Sequence, residues 1–133
     1  MKIGRSTGYA ILALGYVAQN QKKGKCVLSN DVSAKYKIPL EYLLKIMQQL
    51  VKAGIMKSKR GPNGGFNLAR ATKDITLFDV IVAIEGPVSN DIAGFEDIKK
   101  DKFVEKAEKA YANSNIASTK VLKDTKLSTL IAK

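Results

Sequence analysis

The sequence predicts a mainly α chain with one small β-hairpin, on three observations. Apolar residues recur at helical spacing through its first half. A glycine-rich turn separates two short alternating segments directly after the third helix. A narrow apolar stripe then runs through residues 101–122. Together these predict a winged helix-turn-helix with a C-terminal dimerisation helix, the first expected over residues 1–87 and a loop with that helix over residues 88–133.

The first helix is expected over residues 6–20, where Tyr9, Leu12, Ala13, Tyr16 and Val17 repeat at the three-four spacing of an amphipathic helix. Lys22-Lys23-Gly24-Lys25 reads as a loop. Ser29 is placed to cap a short second helix over residues 30–36, whose Val32 and Tyr36 share a face. Ile38-Pro39 marks a new start, because proline disfavours helix at the residue before it and suits the first helical position.

The third helix, over residues 39–53, is the most informative. Leu40, Leu43, Leu44, Ile46, Met47, Leu50 and Val51 fill one apolar arc. Glu41, Lys45, Gln48, Gln49 and Lys52 fill the opposite one, with Tyr42 at the border. Gly54 is suited to stop the helix in the left-handed conformation. Two short helices, a tight turn and a basic, amide-rich outer face fit a helix-turn-helix. They equally fit a three-helix bundle with a solvated face.

The segment after Gly54 favours the helix-turn-helix. Residues 55–60 form a strand, Gly61-Pro62-Asn63-Gly64-Gly65 a turn, and residues 66–69 a returning strand. Lys59 and Arg60 stand just before glycines that let backbone approach a ligand closely. A basic hairpin after such a helix has the layout of a wing; the plainer alternative is a surface hairpin with lysines for solubility. Thr76 caps a further helix over residues 77–85, with Asp79 three residues on as an acidic near-equivalent of a capping box, and Gly86-Pro87 ends it. Residues 88–100 read as loop. Beyond them Val104, Ala107, Tyr111, Ser114 and Val121 trace the stripe expected at a dimer interface, with Glu105 and Lys109 as an i,i+4 pair. Packing back on the chain's own helices is the alternative. Asn113-Ser114-Asn115 leaves one long helix or two shorter ones open.

Charge narrows the function. The chain carries 23 Lys and Arg against 12 Asp and Glu, a net +11, of which +9 falls within residues 1–87. That excess favours a polyanion, nucleic acid or an acidic membrane surface, facing the first two thirds of the chain. No apolar run approaches the roughly 20 residues that span a bilayer, and no signal peptide is recognisable. The single cysteine, Cys26, excludes an internal disulfide and fits the reducing cytoplasm. Catalysis finds little support: the chain holds no histidine, no nucleophile–base set, no metal-ligand spacing, and no phosphate-binding loop. No metal and no cofactor are expected.

Several segments carry a family likeness: Met1-Lys2-Ile3, Tyr9-Ala10, Ile38-Pro39-Leu40-Glu41-Tyr42-Leu43, the whole stretch from Lys57 to Ala69, and Ile75-Thr76-Leu77-Phe78-Asp79-Val80-Ile81 with Glu85-Gly86-Pro87. They resemble the Rrf-two family of bacterial winged-helix regulators, which includes the iron–sulfur cluster regulator, a nitric-oxide-sensitive repressor and the cysteine metabolism repressor. The likeness is dense over residues 1–87 and loose beyond. It implies a homodimeric, sequence-specific regulator of transcription, a repressor, bound to double-stranded DNA. Each third helix would enter a major groove, half-sites lying roughly 34–36 Å apart. Pro39, Leu40, Glu41, Tyr42 and Lys45 match the start of the recognition helix, and Arg60, Gly61, Pro62, Asn63, Gly64 and Gly65 the groove-probing wing tip. Arg5, Ser29, Lys52 and Lys59 are expected at phosphates, on charge and position rather than motif.

Two departures qualify the likeness. Leu44 stands where many members carry Glu, and Pro39 where Ser is common, so the operator is not transferable. Cluster-binding members use three cysteines after the Glu-Gly-Pro segment; residues 88–133 have none. Thiolates being the usual cluster ligands, none is expected here. Cys26, beside Lys22, Lys23 and Lys25, is a redox-switch candidate because neighbouring cations favour thiolate; a small buried residue without a role is the simpler reading. A small-molecule or protein effector remains unidentified. A nonspecific nucleic-acid-binding module and a partner-binding module without DNA are the competing functions.

Overall fold

The computed structural model describes residues 2–132. Its elements are α1 (Arg5–Asn20), α2 (Ser29–Tyr36), α3 (Leu40–Lys52), β1 (Met56–Lys59), β2 (Gly65–Leu68), a 3-10 turn at Thr72–Asp74, α4 (Leu77–Glu85), α5 (Lys102–Asp124) and α6 (Leu127–Ile131). The mainly helical winged fold expected from sequence is the one observed.

α1 forms the floor of the core through Thr7, Ala10, Ala13, Leu14 and Val17. This face is rotated about a quarter-turn from the expected one: Leu12 is exposed, and Tyr9 and Tyr16 lie at the border. The alanines let other helices approach closely. The tyrosine rings instead meet Tyr42 and Tyr36 edge-on at 5.6 and 6.4 Å, a geometry that aromatic quadrupoles favour at a rim.

Ser29 is the first residue of α2, not its cap; Leu28 takes that place and its carbonyl accepts the Asp31 N–H at 3.1 Å. The cause lies one residue earlier. Val27 exchanges backbone hydrogen bonds of 2.9 and 2.8 Å with Phe66, an isolated bridge on the outer side of the hairpin, so extended backbone runs on to Leu28. Lys37, left-handed at φ 54°, turns the chain between α2 and α3. The Ser33 carbonyl accepts the Ile38 N–H at 3.1 Å, and its hydroxyl donates to the Ile38 carbonyl at 2.5 Å. Pro39 is the cap of α3 rather than its first helical residue. Leu43, Ile46, Met47 and Leu50 are buried; Leu40, expected with them, is exposed at the helix's open end, and Leu44 and Val51 are half-buried.

In the antiparallel hairpin Met56 pairs with Leu68 and Lys59 with Gly65. Phe66 and Leu68 point inward, while Lys57, Ser58 and Lys59 remain exposed. A turn closed by Gly64 N–H on the Gly61 carbonyl, 2.9 Å, forms the tip. Gly65 sits at φ +144°, and a Cβ there would lie 2.5 Å from the Val27 carbonyl oxygen, so the close approach of the Val27 bridge demands glycine.

The Thr76–Asp79 capping box forms with both bonds present. α5 is a single 23-residue helix, capped by Asp101, which settles the open alternative. Asn115, though a weak helix former, is buried and donates to the Ser89 carbonyl and Asn90 Oδ1 at 3.1 and 2.9 Å, fastening the preceding loop to the helix. The i,i+4 ion pair among the described residues is Lys120–Asp124 at 2.8 Å, not Glu105–Lys109. α6 has no counterpart in the sequence pattern. Its Leu127 N–H reaches the Ile75 carbonyl at 2.8 Å, and its side chain enters the core shared by Leu14 and Val80.

Candidate nucleic-acid interface

The helix-turn-helix offers the outer face of α3. Glu41, Lys45, Gln48 and Lys52 are exposed, opposite the four buried residues of the same helix. None of these side chains has a hydrogen bond or ion pair among the described residues, where the only two salt bridges are Arg70–Asp79 and Lys120–Asp124. Pro39 and Leu40 are exposed at the start of the helix. Tyr42 is exposed but tethered: its hydroxyl meets that of Ser6, and its ring edge meets Tyr9. Arg5, exposed, precedes Ser6 on the first turn of α1, so the tether brings the Arg5 position near the start of α3.

Lys59 closes β1, and Arg60 leads into the turn; both are exposed and without an acidic partner among the described residues. Gly61, Pro62 and Asn63 form the exposed tip, while Gly64 and Gly65 lie half-buried at its root. Ser29 is half-buried on the first turn of α2. Of the five stripe residues on α5, Val104, Ala107 and Tyr111 are half-buried, whereas Ser114 and Val121 are exposed. The stripe therefore straddles two faces, because Asn115 fastens the side at 111, 115 and 122 to the chain's own loop, beside Phe78 and Ile81 of α4.

Sequence reasoning missed Arg70. Its guanidinium donates to the carbonyls of Gly54 and Ala53 at 3.1 and 3.3 Å and reaches the Asp79 carboxylate at 3.4 Å. It thus joins the C-terminus of α3, where a cation is favoured, to the capping box of α4. Nothing local in the sequence names partners 9 to 17 residues away. Cys26 lies between α1 and α2, with its sulfur 3.2 Å from Asn67 Nδ2 on β2. The Asn67 Oδ1 is buried without a partner.

A helix-turn-helix followed by a basic hairpin defines the winged-helix class of DNA-binding folds. Residues 3–133 match the Rrf2 family, described as iron-dependent transcriptional regulators, and the chain belongs to that family. Its relatives include a helix-turn-helix-type transcriptional regulator of Aquifex aeolicus, 40% identical over 73 residues, which are 55% of this chain and 49% of that protein. The regulator IscR of Cereibacter sphaeroides is 36% identical over 90 residues, 67% of this chain and 58% of its own. The chain spans about half the length of the curated relatives it matches. Among solved structures, the cysteine regulator CymR of B. subtilis superposes with a TM-score of 0.78 at 25% identity, covering 98% of this chain and 96% of that one. IscR of T. potens gives 0.78 at 26%, covering 98% and 86%. The family is one of regulators, not enzymes.

The donor set does not fit the iron of the family description. The one thiol in the chain belongs to Cys26, beside the wing root, and no histidine is present. Among the described residues no three His, Cys, Asp or Glu side chains converge as metal ligands. The loop pinned by Asn115, residues 88–100, carries no sulfur. Nor is any helix among the described residues long and apolar enough to cross a membrane.

Proposed function

We propose that the protein is a sequence-specific DNA-binding transcription regulator, a repressor that acts as a homodimer in the cytoplasm. Residues 1–87 bind DNA; residues 88–133 supply the loop and the dimerisation helix. The bare outer face of α3 carries this reading, because an exposed acid, two lysines and a glutamine without partners are groups prepared for base edges and phosphates. Pro39, Leu40, Glu41, Tyr42 and Lys45 enter the major groove. Arg60 and the turn from Gly61 through Pro62, Asn63 and Gly64 to Gly65 probe the neighbouring backbone or minor groove. Arg5, Ser29, Lys52 and Lys59 hold phosphates.

A second copy is supported by what α5 leaves uncovered. Phe103, Ile116 and Val121 on this one helix are 70, 69 and 65% exposed, and a second copy would cover them. Beside them a groove of 630 Å³ opens between α4, α5 and the start of the chain, walled by Ile3, Phe78, Ile81, Pro87 and Leu122. Val104, Ala107, Tyr111, Ser114 and Val121 belong to the interface. Redox control at Cys26 is supported by its place against β2: a peroxide would convert the thiol to a sulfenic acid, releasing water, and the added oxygen would press on the wing root beneath Gly65.

Selection of bound fragments from random duplex DNA tests the function. An enriched, roughly palindromic site is expected. Salt-sensitive retention without enrichment would instead mark a nonspecific module, and no retention a partner-binding one.

A further inference from the structure

We propose that Leu44 and Gln48 together read one A·T pair in each half-site. The proposal rests on the DNA-binding reading and gives it a base. Glu41, Leu44, Lys45 and Gln48 stand at i, i+3, i+4 and i+7 on α3. This is the spacing by which a recognition helix of another DNA-binding fold lines side chains along a major groove. Leu44 and Gln48 are neighbours one turn apart and, with Lys45, Gln49 and Lys52, border a shallow hollow on the outer side of the helix.

Their chemistry is complementary. Gln48 is exposed, and its amide has no hydrogen-bond partner among the described residues. One amide oxygen and one N–H match adenine's N6 donor and N7 acceptor in a bidentate pair. Leu44 is half-buried on the flank of the polar strip, packed against the core and bordering the same hollow, so it offers apolar surface beside Gln48. In the major groove the only apolar group on a base edge is the thymine C5-methyl. A single A·T pair offers both features, and a G·C pair neither.

The test compares the DNA selected by the wild type with that selected by Gln48→Glu, since glutamate only accepts and pairs with cytosine N4. One A·T position of the wild-type site should become C·G, the others staying fixed, and Gln48→Glu should bind the wild-type site roughly tenfold more weakly. Replacing the thymine of that pair by deoxyuridine removes only the methyl. This should weaken the unaltered protein about fourfold, the worth of one buried methyl-sized group, and leave Leu44→Ala unaffected. An enriched wild-type site that Gln48→Glu leaves unchanged, or that is indifferent to the methyl at every A·T pair, overturns this assignment alone. A wild-type protein that enriches nothing overturns the DNA-binding reading and this assignment with it.

Discussion

The hydroxyl of Thr7 on α1 donates a 2.6 Å hydrogen bond to the carboxylate of Glu85, the last residue of α4. The same oxygen accepts the Gly4 N–H at 3.1 Å. Gly4, the cap of α1, has no side chain to accept a hydrogen bond, and Glu85 from across the fold takes the cap's own N–H and the Thr7 hydroxyl instead. A negative group is favoured there by the helix dipole.

Thr7 is fully buried, so Thr7→Val keeps the shape and removes a donor to a charged acceptor. We predict a loss of about 1.5–3 kcal/mol, read as a melting temperature several degrees lower. An unchanged melting temperature would mean that the bond contributes nothing. Glu85→Gln keeps an acceptor and should cost less.

Arg70→Gln should loosen the junction between α3, the wing and α4. Loss of the guanidinium's bonds to two helix-end carbonyls and Asp79 should cost about 1–2 kcal/mol in urea denaturation. DNA binding should weaken while the slope of log affinity against log salt stays as in the wild type, because Arg70 positions the elements and neutralises no phosphate. A slope reduced by about one would place Arg70 on the DNA instead.

Gly65→Ala forces a Cβ to within 2.5 Å of the Val27 carbonyl at a backbone angle that L-residues rarely adopt. The bridge between Val27 and Phe66 should open, exposing both amides to faster hydrogen exchange than in the wild type. Protection equal to the wild type would show that the Val27–Phe66 bridge does not need glycine.

Much of this architecture is legible in the sequence because it is written locally. The Thr76–Asp79 box, the stop at Gly54 and the turn at Gly61-Pro62-Asn63-Gly64 each depend on residues a few positions apart. The features that escape a reading of the sequence depend on distant partners. The α1 face differs in phase because tyrosines look apolar in a spacing pattern, yet here they serve as rim aromatics beside Tyr36 and Tyr42. Ser29 loses its expected capping role to Leu28, because Val27, the residue before it, is held by a bridge to Phe66 that spans 39 positions of sequence. α6 is too short for a periodic signal, and its return rests on the backbone bonds at Ile75 and Thr125 together with Leu127 in the core. At the candidate site, the charged face of α3 is visible in sequence; Gln48 lies on that face, but only the fold shows its amide exposed and unbonded.

Val121→Glu places a charge on the exposed apolar side of α5. Sedimentation should show a dimer for the wild type and a monomer for the variant, with the helical content of the two alike. A dimer in both would remove this face from the interface.

The most direct test of the central claim is an affinity ratio. The protein is titrated with a duplex enriched from random DNA and, in the same buffer at about 0.15 M salt, with a scrambled duplex of equal composition. A sequence-specific regulator should prefer the first by at least about a thousandfold. Equal affinities that fall together as salt rises would contradict it and leave only a basic surface holding phosphates.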